Sequence, residues 1–492
     1  MQTSAIEKKP PYLIIAILFF GAFVSFLNNS LLNVALPTIM VDFNKDYSTV
    51  QWLATGYMLV SGILIPVSAF LITKFKNRHL FITSMVLFTL GTGLAAFAPT
   101  FEILLAGRMV QAAGSSVMGP LLMNIMLVSF PREKRGAAMG VFGLVMITAP
   151  AIGPTLSGYI VEYYDWRLLF EMILPFALIS LGLAIWKLEN VMETRNATLD
   201  YISVVLSVIG FGGLLYGCSM ASSAGWSDLI VISSLVVGLI GIILFVVRQI
   251  KLDEPLLDLR VYKYPMFALG SVISMVNAAA MFSGMILTPV YVQNVRGISP
   301  FEAGLMMLPG AIIMGIMSPI TGKLFDKFGP RILAFTGLTI TAFTTFLLTN
   351  LDLNSTYTYI IMVYTVRMFG MSMVMMPIMT NGLNQLPANL YPHGTAVNNT
   401  AQQVVGAIGT ALFVTLMNSV ATSKGEDLAK AIDPSSLADP NVMLSLQRQA
   451  LLEGIQFSFL VATIITVVAL VLTLFLKRVD VSRAKVELKE QQ

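Results

Sequence analysis

Two arginines lie well inside apolar runs of this chain of 492 residues: Arg108 in GRMVQAAG and Arg367 in VRMFGMSM. A guanidinium at membrane depth costs at least ~2.5 kcal/mol and faces protein interior or water. Gln111 lies three residues after Arg108, on the same helical face. Such a group can organise a proton path or meet a ligand; it can equally bond carbonyls of a neighbouring helix. Carboxylates, which exchange protons near neutral pH when burial raises their pKa, are scarce. The middles of the apolar runs hold no Asp or Glu, and the nearest acid is Glu171, one turn after Arg167. Glu171 reads as a proton or cation ligand, or as half of a surface Arg167–Glu171 pair. Asn28, Asn29 and Asn33 are neutral hydrogen-bonders that line a cavity or join helices; Asn29 and Asn33 share a face. Met371 and Met375 suit a soft, adaptable pocket or plain core packing.

Composition decides where these groups sit. The chain is 56% hydrophobic and 11% charged, where soluble domains carry roughly 25% charged residues. It reads as an all-α integral membrane protein. Cys218 is the sole cysteine, and His79 and His393 are the only histidines, far apart. No disulfide, metal site or cofactor is expected. The net charge of +4 is spread through short loops, which gives no nucleic-acid signal. The first apolar run, from Tyr12, is too long for a signal-peptide core and reads as a span.

Spans of about 20 apolar residues fall at 12–37, 50–72, 80–99, 102–130, 137–160, 167–186, 201–221, 229–247, 266–292, 303–321, 332–350, 357–381, 396–420 and 453–476. With the N-terminus inside, inner segments carry 22 Lys and Arg and outer segments 6. That bias places both termini in the cytoplasm of a cytoplasmic-membrane protein. The polar connection 421–452 then lies outside. All four tryptophans, at 52, 166, 186 and 226, fall at span ends, where amphipathic rings belong.

The chain also repeats itself. SAFLITKFKNRHLF joins spans 2 and 3; ITGKLFDKFGPRIL joins spans 10 and 11. The two arginine motifs, in spans 4 and 12, are again eight spans apart. Parallel repeats of this kind place a solute path at their interface. The expected units are a six-helix bundle over 1–187, an insert over 188–265 carrying spans 7 and 8, and a second six-helix bundle with a tail over 266–492.

Four stretches carry a family resemblance: LLNVALP with QWLATGYML, the loop GKLFDKFGPR, GRMVQAAG, and GVFGLVMITAPAIGPTLSGYI. Together they resemble the fourteen-helix drug:proton antiporter branch of the major facilitator superfamily. The last stretch resembles that family's antiporter signature through Gly140, Gly153, Pro154 and Gly158. Physically, small residues let helices approach closely, and proline is tolerated where neighbours shield the freed carbonyls. The resemblance implies a major-facilitator fold and proton-driven export of small hydrophobic compounds by a monomer that needs only protons and the bilayer. Arg108 matches an arginine implicated in proton coupling. Asn28 stands where relatives often have aspartate. Arg367 joins the asparagines as a cavity candidate. The gate loop keeps Gly322, Asp326, Lys327, Gly329 and Arg331; in the first repeat Thr73 replaces the aspartate and Lys76 the glycine, beside Arg78. Asp326 suits a helix-N-terminus cap, and Thr73 can still cap. A specific organic anion, lipid or metabolite is the alternative cargo. A transport-free scaffold would not need paired intramembrane arginines, and no catalytic constellation points to an enzyme.

The charge bias makes a direct prediction. Reporter fusions should place both termini and the loop around Asp326 in the cytoplasm; an outside reporter at Asp326 would overturn the topology.

Overall fold

The computed structural model describes residues 11–195, 197–430 and 439–478. Fourteen stretches are long and apolar enough to cross a membrane. Sixteen α-helices build them among the described residues, with no strand. The first half holds α1 (Tyr12–Asp42), α2 (Tyr47–Lys74), α3 (Asn77–Ala96), α4 (Phe101–Ser129), α5 (Arg135–Tyr163), α6 (Leu168–Glu171) and α7 (Ile173–Lys187). The insert is α8 (Tyr201–Ala224) and α9 (Leu229–Lys251). The second half holds α10 (Pro265–Val290), α11 (Pro300–Phe328), α12 (Pro330–Leu347), α13 (Tyr357–Ser372), α14 (Met375–Gln385), α15 (Tyr391–Lys430) and α16 (Pro440–Thr473). The end of the molecule bearing the lysine- and arginine-rich loops is termed the basic face.

Helix starts follow local chemistry. Asp46, Asp200, Asp228, Ser299, Thr356 and Asp439 each accept a backbone N–H from the first turn they precede. Pro265, Pro300, Pro330 and Pro440 occupy first-turn positions, where the missing N–H costs nothing. Gly329 makes the one-residue turn between α11 and α12 at φ +80, a region that glycine enters freely. Its first-repeat counterpart, Lys76, has φ −61 and needs no glycine.

One expectation changes. Span 12 is not one helix. It breaks at Met373–Val374, because Pro377 has no N–H for the Met373 carbonyl and its ring crowds that turn. The 421–452 connection is largely helical: α15 runs on to Lys430 and α16 starts at Pro440. Asp439 caps that start, and the polar segments continue the helices beyond the apolar runs; residues 431–438 lie outside the described set.

Apart from α5 and α11, helices α1–α7 pack mainly on one another, as do α10–α16. Across the molecule α5 lies along α11, and α15 touches α2 and α4. Glycines set the closest approaches. A Cβ on Gly107 would sit 2.9 Å from the Gly91 carbonyl oxygen, and one on Gly337 2.5 Å from that of Gly370. These pairs press α3 onto α4 and α12 onto α13, the helices that carry and receive the two arginines. The insert leans on both halves: α8 packs against α2 and α15. Ser219 Oγ donates to Thr55 Oγ1 at 3.1 Å, and Trp226 Nε1 to Thr415 Oγ1. Arg248 at the end of α9 grips Asp200 before α8 at 2.6 and 2.8 Å. Hydrogen bonding to Arg248 holds the Asp200 carboxyl well below the usual carboxylate range.

Candidate functional site

Arg108 is fully buried. Its Nη1 donates to Gln111 Oε1 at 2.9 Å and its Nε to the Leu53 carbonyl at 3.4 Å. Gln111 Nε2 passes the connection to Thr92 Oγ1 at 2.8 Å. The guanidinium lies 4.4 Å from the Tyr57 ring centroid, a favourable cation–π placement. The Tyr57 hydroxyl in turn meets Ser115 Oγ. The hub thus links α2, α3 and α4.

Arg367 is equally buried but differently wired. Nε donates to Thr345 Oγ1 at 3.1 Å, and Nη2 to the Ala280 carbonyl. Thr92 and Thr345 stand at matching places in the repeats, fourteen residues after Arg78 and Arg331. Arg108 reaches its threonine through Gln111; Arg367 reaches its own directly, with Gly370 at the matching position. Gly284 makes room, since a Cβ there would overlap the Arg367 guanidinium. Neither arginine meets a carboxylate among the described residues. Arg367 is buried within the second bundle, where it joins α10, α12 and α13. Reading the repeat helix by helix would have found Thr345, and no local pattern marked Gly284.

The remaining polar candidates separate. Asn28 is buried and Asn29, its neighbour on α1, is exposed; the Asn33 side chain lies outside the described residues. Glu171 is exposed and makes no ion pair among the described residues. Arg167 instead donates to Asp42 Oδ2 at 3.0 Å and lies 3.6 Å from Asp165. The Arg167–Glu171 surface pair is therefore replaced by a clamp on the end of α1. Trp166 belongs to that clamp: it is buried and donates to Asp42 at 3.1 Å, so it is no interfacial anchor. Met371 is buried with Ile147, Met314, Tyr364 and Met368, a cluster that joins α5 to α11 and α13. Met375 is half-buried against the large core shared by both halves.

The small residues of α5 serve two faces. A Cβ on Gly140 would lie 2.6 Å from the Ser318 carbonyl oxygen, and one on Gly158 3.3 Å from the Phe301 ring. Both positions face α11, and Ser318 Oγ donates across this seam to the Gly140 carbonyl at 2.8 Å. Gly153 faces α1 instead, against Ser30. The helix continues unbroken through Pro150 and Pro154.

At the basic face the two halves are joined. Asp326 Oδ1 and Oδ2 accept the N–H groups of Gly136 and Ala137, each at 3.0 Å. A side chain of α11 thereby caps α5 of the other half, a contact worth about 1 kcal/mol. Arg478 donates to the Asp326 and Lys327 carbonyls at 2.7 and 3.3 Å. Lys327 and Arg331 are exposed. Thr73 does not cap: its hydroxyl donates to the Ala69 carbonyl of its own helix at 2.8 Å. Arg78 binds the Ile185 carbonyl at 2.7 Å, within the first half. Counting lysines and arginines by loop hid a further residue, Arg135. Its Nη1 donates to Asn384 Oδ1 at 3.1 Å and to the Tyr391 hydroxyl at 2.9 Å, and its guanidinium stacks over the Tyr391 ring. Asn124 Nδ2 adds a buried bond to Thr395 Oγ1 at 2.8 Å.

Comparison with known proteins agrees with this architecture. The family model of the Major Facilitator Superfamily matches residues 18–410. The chain is 47% identical to the uncharacterized MFS-type transporter YcnB of Bacillus subtilis, over 97% of this chain and 98% of that protein. It is 45% identical to the lincomycin resistance protein LmrB of the same organism, over 94% and 95%. The crystal structure of the human organic anion transporter MFSD10 shares the fold at a TM-score of 0.63 and 12% identity, covering 93% of this chain and all of that one.

Two outcomes follow from the seam. Thr395 is buried, so a cysteine there, in a chain with Cys218→Ser, reports opening of the basic face. Asp326→Asn supplies only one acceptor to two N–H groups and should raise its labelling by a membrane-impermeant maleimide; unchanged labelling would show that the cap does not hold the seam. Gly140→Leu should insert normally yet lose transport, because α5 can no longer lie against α11; full transport would sink that role.

Proposed function

The chain belongs to the major facilitator superfamily, and from that premise we propose that it exports hydrophobic drug-like compounds in exchange for protons. The observation that carries the drug-like cargo is the 45% identity to the lincomycin resistance protein over nearly the whole of both chains. The positive bias of the basic face supports a cytoplasmic orientation for it, and hence for both termini. The geometry supports alternating access. The halves rock along the glycine-lined α5–α11 seam, and the Asp326 cap and the Arg135 contacts release when the basic face opens. In this reading 1–187 and 266–492 are the moving units, and 188–265 rides on both through α8. The protein works as a monomer in the bilayer, with the proton gradient as its energy source.

Coupling is assigned to the Arg108–Gln111–Thr92 connection with Tyr57 and Ser115. Arg108, Gln111 and Thr92 form a buried hydrogen-bonded chain that stacks on the Tyr57 ring and is able to orient a proton, whereas Glu171 lies exposed. A second reading has one specific support: two buried guanidiniums without carboxylates favour an organic anion as cargo.

Proteoliposomes under imposed proton gradients decide between them. Neutral or cationic hydrophobic dyes should move uphill when protons flow the other way, and a protonophore should abolish it. Gradient-driven movement of anionic dyes alone would establish the second reading, and gradient-independent movement would end both. Gln111→Leu should lose uphill export and keep downhill exchange, while Glu171→Gln should keep both. Loss of uphill export in Glu171→Gln would return coupling to that acid.

A further inference from the structure

The α5–α11 seam widens away from the basic face. A Cβ on Gly322 would collide with the Gly136 carbonyl oxygen, and one on Gly140 would lie 2.6 Å from that of Ser318. Farther along, a Cβ on Gly315 would lie 3.0 Å from Thr148 Oγ1, and one on Gly304 3.5 Å from the Thr155 nitrogen. Where the helices part, a groove of about 520 Å³ opens between them. Thr148, Ile152 and Tyr159 of α5 line one side, and Phe301, Ala311 and Ile312 of α11 the other. None of its lining residues carries a charge. Ile152 and Ile312 are exposed, so the groove opens to the bilayer. Each side spans eleven residues, about 16 Å along a helix, against about 15 Å for the hydrocarbon of one leaflet. At the end away from the basic face stand Tyr159, Tyr163 and Tyr164, all exposed. The Tyr159 ring centroid lies 5.1 Å from that of Tyr163 and 6.3 Å from that of Tyr164. Such a cluster belongs at the level of lipid headgroups, so the groove runs from there towards the middle of the bilayer.

We propose that this groove holds one acyl chain of a phospholipid from the leaflet away from the basic face, and that the chain is a wedge between the halves. An extended hydrocarbon chain fits the length, and the uncharged walls ask for no particular headgroup. The polar end of the lipid stays among the tyrosines. A chain seated there touches α5 and α11 at once, so its occupancy and the relative position of the halves are linked. The seam gapes here in the arrangement that is closed at the basic face, and filling the gap favours that arrangement. The wedge role rests on the rocking of the halves proposed above; the binding site does not.

The test uses the full chain in phosphatidylcholine nanodiscs doped with a phosphatidylcholine that carries a photoactivatable diazirine on its acyl chain. Crosslinks mapped by mass spectrometry should concentrate several-fold on 148–159 and 301–312 over the exposed face of α9, where Val236, Ile240 and Ile243 meet bulk lipid. Equal labelling of the two surfaces in the wild type would overturn the site. Displacement of the crosslinks by a neutral hydrophobic dye, at a mole fraction far below that of the lipid, would assign the groove to cargo and overturn it too. Ala311→Trp fills the groove and should bring its labelling down to the α9 level; undiminished labelling would place the chain elsewhere. The wedge is read separately, with Thr395→Cys in the Cys218→Ser chain. Adding Ala311→Trp should slow modification by the membrane-impermeant maleimide several-fold, because the indole takes the place of the chain and holds the basic face closed. Unchanged or faster modification would end the wedge role and leave the crosslinks standing. Neither measurement needs a transported compound, so failure of drug export is distinguishable from failure of either part.

Discussion

The carboxylate of Asp326 ends α11 by starting α5. Two N–H groups at the head of a helix have no partner within that helix, and in this molecule the other half of the chain supplies the acceptor. That single contact ties the closed basic face to the positions of two helices rather than to a loop. It also explains why Gly136 has no side chain, since a Cβ there would collide with Asp326 itself. From this point outward the α5–α11 seam runs through Gly140 and Ser318 to Gly158 and Phe301. Close backbone approach makes the seam stiff in compression.

The repeats share a plan and not its details. Both buried arginines reach a threonine on the preceding span, and both do so where glycines let helices touch. Gln111 lengthens the reach on one side, and Gly370 with Gly284 shortens it on the other. Each guanidinium keeps one nitrogen without a partner; the first bonds Gln111 and the Leu53 carbonyl, the second Thr345 and the Ala280 carbonyl. The gate loops diverge in the same way. One carries Asp326 and a glycine turn and works across the halves, while Thr73 bonds its own helix and Arg78 stays within its bundle. Both bundles contribute to the contacts between them, through Asp326 on one side and Arg135 and Asn124 on the other.

The insert is more than added length. Through α8 it touches both halves on the side where α2 meets α15, and polar contacts from Ser219 and Trp226 fix it there. Among the described residues neither insert helix packs along the α5–α11 seam.

Much of this was legible in the residues. Span number, the depth of Arg108 and Arg367, the repeat and the crowding of small residues on α5 all follow from local pattern, because lipid demands long apolar helices whose backbones satisfy themselves. What pattern could not decide was the identity of partners far apart in the chain. Gly153 turned to α1 while Gly140 turned to α11. Arg167 took Asp42, some 125 residues away, over Glu171 one turn along. Arg135, one loop cation among many by sequence, became a bond between halves. Local spacing determines which face of a helix a residue occupies, but only the packed arrangement of helices determines what that face meets. In a buried setting each donor goes to the acceptor that packing brings within reach.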